Sequence, residues 1–176
     1  MGLAIAVLRT TKAVPVENHQ VSSENLQDYI NWSAFGNVYA VYYKSQDGAV
    51  PQYNAAINGS TYGAYNFVMI YPYVNPTLIY SLDFGTSENA TSMSLGLAAG
   101  YPPGVVTEIN VYVDSPSTTP ISTLYLTDTG YPFEYTFFNF TAKVTATPEG
   151  LHAVYFIFTP SSPSFYCNFG WFQFYQ

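Results

Sequence analysis

The stretch Leu78–Phe84, LIYSLDF, puts Leu78, Tyr80, Leu82 and Phe84 on one side of an extended chain and Ile79, Ser81 and Asp83 on the other. No helical spacing gathers those four bulky residues on one face, so the stretch reads as a half-buried strand. Outward from it the same alternation recurs. Met93, Leu95 and Leu97 alternate with Ser92, Ser94 and Gly96, and Ile109, Val111 and Val113 with Asn110, Tyr112 and Asp114. The segments VYAVYYK (38–44), NFVMIY (66–71), STLYLT (122–127), FEYTFFNF (133–140), AVYFIFT (153–159) and WFQFY (171–175) continue the series. Turn-forming clusters such as SPSTTP (115–120) and TPEG (147–150) separate them. The expected fold is all-β: a β-sandwich jelly roll of two antiparallel sheets with about eight to ten strands.

The chain has 176 residues, of which 48% are hydrophobic and 19% aromatic, enough for one domain with a real core and an appendage. Four Lys and Arg stand against eleven Asp and Glu, a net charge of −7. So few cations cannot neutralise a phosphate backbone, which excludes nucleic acid and anionic membrane surfaces as partners. The longest apolar run, Leu3–Leu8, is far shorter than the roughly 20 residues that span a bilayer. It has no basic region before it and Arg9 after it, so the expectation is a leader already removed or a start lying upstream.

Polarity comes from Ser, Thr, Asn and Tyr more than from Lys and Glu, the style of an extracellular surface. Four Asn-x-Ser/Thr sequons, at Asn31, Asn58, Asn89 and Asn139, make covalent N-glycans an expected feature; Pro76 disqualifies Asn75. The lone Cys167 excludes an internal disulfide, and between Tyr166 and Asn168-Phe169 it reads as a small core hydrophobe.

Residues 1–35 differ in style. LAIAVLR is strand-like, KAVPVEN extended around Pro15, and SSENLQDYINW suits one short helix capped by Ser22 or Ser23. They are expected to form an N-terminal arm on a domain of residues 36–176. An apolar run such as LAIAVL has unpaired backbone groups unless it docks on its own chain or on a neighbour.

The end of the chain, SFYCNFGWFQFYQ (164–176), holds seven aromatics among thirteen residues, with the amide of Asn168 standing between Cys167 and Phe169. Together with GLHAVYFIF (150–158), it resembles the closing strands of family 6 carbohydrate-binding modules. YSLDFG, SMSLGLAAG, INVYVDSP, ISTLYL and TDTGYPFEY follow in matching order, so the resemblance spans most of residues 36–176. It implies a cleft at one edge of the sandwich, where Asn168 hydrogen-bonds a sugar hydroxyl and Tyr71 and Tyr131 flank the ring. Aromatic plates and an amide suit a pyranose, which has C–H faces and a hydroxyl rim. The family's structural calcium is held by carboxylates at positions that here are Tyr39, Val41 and Gly170. Losing all three leaves no expected calcium and no other cofactor.

No catalytic set emerges. His19 and His152 are far apart in sequence, His152 falls in a strand, and Glu134 has no assignable partner carboxylate. Two non-enzymatic readings remain. One is a subunit of an extracellular fibre, joined head-to-tail to copies of itself through residues 1–35; it is preferred because it accounts for the apolar arm and the charge-poor surface. The other is a glycan-binding module, free-standing or attached to an enzyme, that takes an oligosaccharide or polysaccharide in the aromatic cleft.

Overall fold

The computed structural model describes residues 31–55, 65–71, 75–86, 89–101, 106–126, 137–145, 147–162 and 166–176. The expected helix near residues 22–30, the rest of the arm before residue 31, and Tyr131 lie outside them. Twelve strands are described: β1 (Trp32–Ser33), β2 (Val38–Tyr39), β3 (Ser45–Asp47), β4 (Ala49–Ala55), β5 (Tyr65–Ile70), β6 (Thr77–Asp83), β7 (Ser92–Tyr101), β8 (Thr107–Val113), β9 (Ser122–Leu126), β10 (Phe137–Lys143), β11 (Leu151–Pro160) and β12 (Tyr166–Tyr175). The first three have only two or three residues, so the nine longer strands match the number expected.

They form two sheets. The first runs β1-β6-β11-β8-β9, with β3 also on β6; the second runs β10-β7-β12-β5-β4, with β2 on β12. Pairing is antiparallel except between β1 and β6. Alternation decides which side of each strand faces the partner sheet. In β6, Leu78, Tyr80 and Leu82 are buried while Ile79 and Ser81 are partly open, as the sequence pattern requires. Opposite them stand Phe169, Phe172 and Phe174 of β12. Phe156 of β11 lies between, with ring centroids 5.6 Å from Phe169 and 4.7 Å from Phe172. Each such ring is worth about 1.5–3 kcal/mol of burial. The phenol of Tyr80 is wholly buried and donates to the Ala40 carbonyl at 2.7 Å, which satisfies its one donor.

Segment 38–44 departs from the expected strand. It pairs for two residues and then turns through a 3-10 helix, Ala40–Tyr42. Ala40 and Val41 are consecutive and both buried, which an alternating strand cannot arrange, whereas one helical turn brings both inward and leaves Tyr39 and Tyr42 outside. The last residues of the expected arm join the sandwich. Trp32 and Ser33 pair with Leu82 and Asp83, Ala34 is buried, and the Phe174 amide donates to the Ala34 carbonyl at 3.0 Å.

Candidate functional site

Strand β12 carries the candidate amide. Phe169 pairs with Val68 and Leu97 and turns into the core, so its neighbour Asn168, paired with Met69 and Ala98, turns to the outer face of the second sheet. Register shifts lie on both sides of it, between Tyr166 and Asn168 and between Phe169 and Trp171. Such irregularities re-aim side chains at strand ends. Tyr71 follows β5 directly and shares Met69's face: its hydroxyl donates to the Met69 Sδ at 3.7 Å. Two of the three expected cleft residues therefore fall on one face at one end of the sandwich, with Met69 between them. Asn168 is more enclosed than a strand-end amide was expected to be, at 1% exposure, while Tyr71 is half-buried. A ligand hydroxyl must reach into this face to meet the amide.

At the same end of the first sheet, Thr107 begins β8, opposite Leu126 and Pro160. It is fully buried and its Oγ1 has no hydrogen-bond partner. Nothing in the sequence flags it, since Thr is an ordinary strand residue.

The residues at the family's calcium positions do not suit a cation. Tyr39 is 45% exposed and stands edge-on to Tyr42, with centroids 5.8 Å apart. Val41 is buried among apolar neighbours. Gly170 lies under Phe137, whose Cε1 would be 2.8 Å from any Cβ added there, so the ring occupies the place a carboxylate-bearing side chain would need. Calcium takes six to eight oxygen ligands, and none of these three side chains supplies a carboxylate. Among the described residues no group of three or more His, Cys, Asp or Glu could hold a metal.

His152 lies at the other end. Its Nδ1 is 2.7 Å from Asp114 Oδ2 and its Nε2 is 2.9 Å from the Glu149 carbonyl, while Asp114 Oδ1 accepts from the Ala153 amide at 3.2 Å. Partial burial works to lower its pKa, but the Glu149 carbonyl and the Asp114 carboxylate together raise it. Both ring nitrogens face acceptors, which only the imidazolium satisfies. The group clasps two turns together and is not arranged as a catalytic base. Burial pushes the Cys167 thiol far above its ordinary range, so it is an inert core side chain.

Of the sequons, Asn139 is exposed in β10, Asn89 is exposed in the loop before β7, and exposed Asn31 accepts from the Ser81 hydroxyl at 3.1 Å. Asn58 lies outside the described residues.

The two sheets form a jelly-roll sandwich with Tyr71 and Asn168 on one face at one end. The chain belongs to the family 6 carbohydrate-binding modules, whose family model matches residues 39–176. Among solved structures it is similar to a family 6 module from Clostridium cellulolyticum in complex with xylose, at 23% identity and a TM-score of 0.64 over 82% of this chain and 99% of that one. A module from Clostridium stercorarium in complex with cellobiose is 26% identical, with a TM-score of 0.63 over 84% of this chain and 98% of that one. A family 43 arabinoxylan arabinofuranohydrolase from Bacillus subtilis in complex with cellotetraose gives 23% identity and a TM-score of 0.66 over 84% of this chain, which spans 28% of the enzyme's length. A comparison with curated protein sequences finds no match. No helix among the described residues is long and apolar enough to cross a membrane.

Proposed function

We propose that the chain is a non-enzymatic, extracellular glycan-binding module whose site is formed by Tyr71, Tyr131 and Asn168. The observation that carries this reading is the placement of Tyr71 and Asn168 on one face around Met69, two ligand-type side chains contributed by the end of β5 and by β12. An amide held by a sheet loses little freedom on binding, and an aromatic beside it supplies apolar area for a sugar face. The relatives bound to xylose and cellobiose suggest β-linked plant-type glycans as the first ligands to try. Titration calorimetry against xylo-, cello- and β-1,3-gluco-oligosaccharides tests it. Tyr71→Ala and Tyr131→Ala should each weaken the best ligand roughly tenfold or more while the fold persists. Equal affinity in wild type and both variants would overturn the assignment.

The fibre-subunit reading stands second. Its support is the apolar run Leu3–Leu8 and the charge-poor surface. Against it, the end of the arm at Trp32–Ser33 pairs with β6 of its own chain, and β3 covers another part of the same strand edge. Light scattering on the full chain and on a chain lacking residues 1–20 separates the two. Large particles only with the arm present would restore the fibre, and two monomers would remove it.

A further inference from the structure

The outer face of the second sheet carries a feature that the cleft does not use. In β10, the edge strand, Phe140 packs toward the core, so Phe137, Asn139 and Thr141 emerge outward together. Asn139 is exposed and directly opposite Gly96 of β7, and Gly96 is directly opposite Trp171 of β12. The three residues thus form one row across three strands. A Cβ at Gly96 would lie 2.2 Å from the Trp171 Cε2, so the indole lies flat across the glycine backbone and reaches from β12 toward β10. Neighbouring strands are about 4.8 Å apart, so the ring covers the single strand separating Trp171 from Asn139. Phe137 borders the same space, its ring 5.3 Å from the indole at 42°. Trp171 and Phe137 are only partly buried, leaving an open apolar shelf beside the exposed Asn139 and Thr141.

Asn139 and Thr141 are also the acceptor and hydroxyl positions of a sequon, Asn-Phe-Thr, and both are exposed on the side where the shelf lies. We propose that Asn139 is an N-glycan acceptor and that the Trp171–Phe137 shelf is the seat of the first sugar of that glycan. In the modification the Asn139 Nδ2 bonds to the anomeric carbon of a lipid-pyrophosphate-linked oligosaccharide. The carbon–oxygen bond to the pyrophosphate breaks, the lipid pyrophosphate leaves, and one amide proton passes to a base of the transferring enzyme; no redox partner is involved. The C–H face of the attached sugar then covers the indole, and its hydroxyls remain in water. A seated covalent sugar needs no association entropy, so even modest stacking is retained. This shelf borders the proposed cleft, since Phe137 shares a cross-strand row with Ala98 and Asn168, but it does not depend on free glycan binding.

The full chain secreted from an N-glycosylating host is the material for the test. Glycopeptide mass spectrometry should find Asn139 occupied. In the intact glycoprotein, C–H protons of the first sugar at Asn139 should show upfield ring-current shifts in NMR, a readout that needs no mutation. Thr141→Ala abolishes the sequon and leaves Asn139 in place; it should lower the melting temperature by about 2–4 °C relative to the glycosylated protein. The same substitution in protein from a host that does not glycosylate should not. An unmodified Asn139 would overturn the acceptor site. Occupancy without ring-current shifts, or with equal melting temperatures, would overturn the shelf.

Discussion

Thr107 shows how a single side chain can work against the fold that contains it. Its hydroxyl is wholly buried without a partner, and an orphaned hydroxyl costs about 1–3 kcal/mol relative to one left in water. Valine has nearly the same shape and no polar atom, so Thr107→Val should raise stability by about 1 kcal/mol in denaturant melts. A loss of stability would mean that the hydroxyl has an unrecognised role at this end of the sandwich. His152 is the opposite case, a polar group with both nitrogens engaged. Its folded-state pKa is raised above the ordinary histidine value of about 6.5, so its contribution to stability is complete below that value. The contribution is lost as pH rises through the folded pKa. The wild type should therefore lose part of its stability between mildly acidic and mildly alkaline pH, and His152→Gln should flatten that slope. Asp114 is largely exposed, so salt should weaken the effect. The sequence allowed a structural reading of His152, but its partners come from two turns brought together only by folding.

Among the elements, legibility followed the difference between the two faces of each strand. β6 and β8 have one face in the core and the other half-open, so their alternation was plain in the sequence. The segment after β2 reads as strand because Val and Tyr, which favour β-structure, make up most of VYAVYYK, while the inward turn of both Ala40 and Val41 reflects packing. The row of Asn139, Gly96 and Trp171 was equally hidden, since register across three strands is set by long-range pairing. The position of Asn168 at the start of β12 is readable in the sequence; the bulges on either side of it and its near-complete burial are not. The same elements bear on calcium. Tyr39 precedes the turn, Val41 sits within it in the core, and Phe137 fills the space above Gly170, so apolar packing occupies all three positions. A strong chelator should leave the melting temperature of the full chain unchanged, and a fall on its addition would show a cation elsewhere.

At the scale of the whole molecule, the boundary of the folded unit is the point on which sequence style and three-dimensional contact differ most. Composition places the start of the domain near residue 36, because the strand pattern becomes regular there. Contacts extend earlier. The Trp32 ring stacks on Tyr42 with centroids 4.6 Å apart and planes within 4°. The Ala34 amide donates to the Asp83 carbonyl at 2.9 Å, and the Gln173 Nε2 donates to the Phe35 carbonyl at 2.8 Å. With the Phe174 amide on Ala34, these bonds tie residues 32–35 to the ends of both β6 and β12, and hence to both sheets. Burial of a large aromatic contributes about 1.5–3 kcal/mol and each net hydrogen bond about 1 kcal/mol, so their joint removal exceeds what a surface tail could cost. A chain beginning at Asn37 should therefore be less stable than one beginning at Asn31 by about 3–5 kcal/mol, read as a lower urea midpoint with little change in slope. If the two chains melt together, residues 31–36 belong to the arm and the domain starts where the strand pattern does. If they differ as expected, any subunit-joining role for the N-terminal region is confined to residues before 31, because the residues that follow are already committed to their own sandwich.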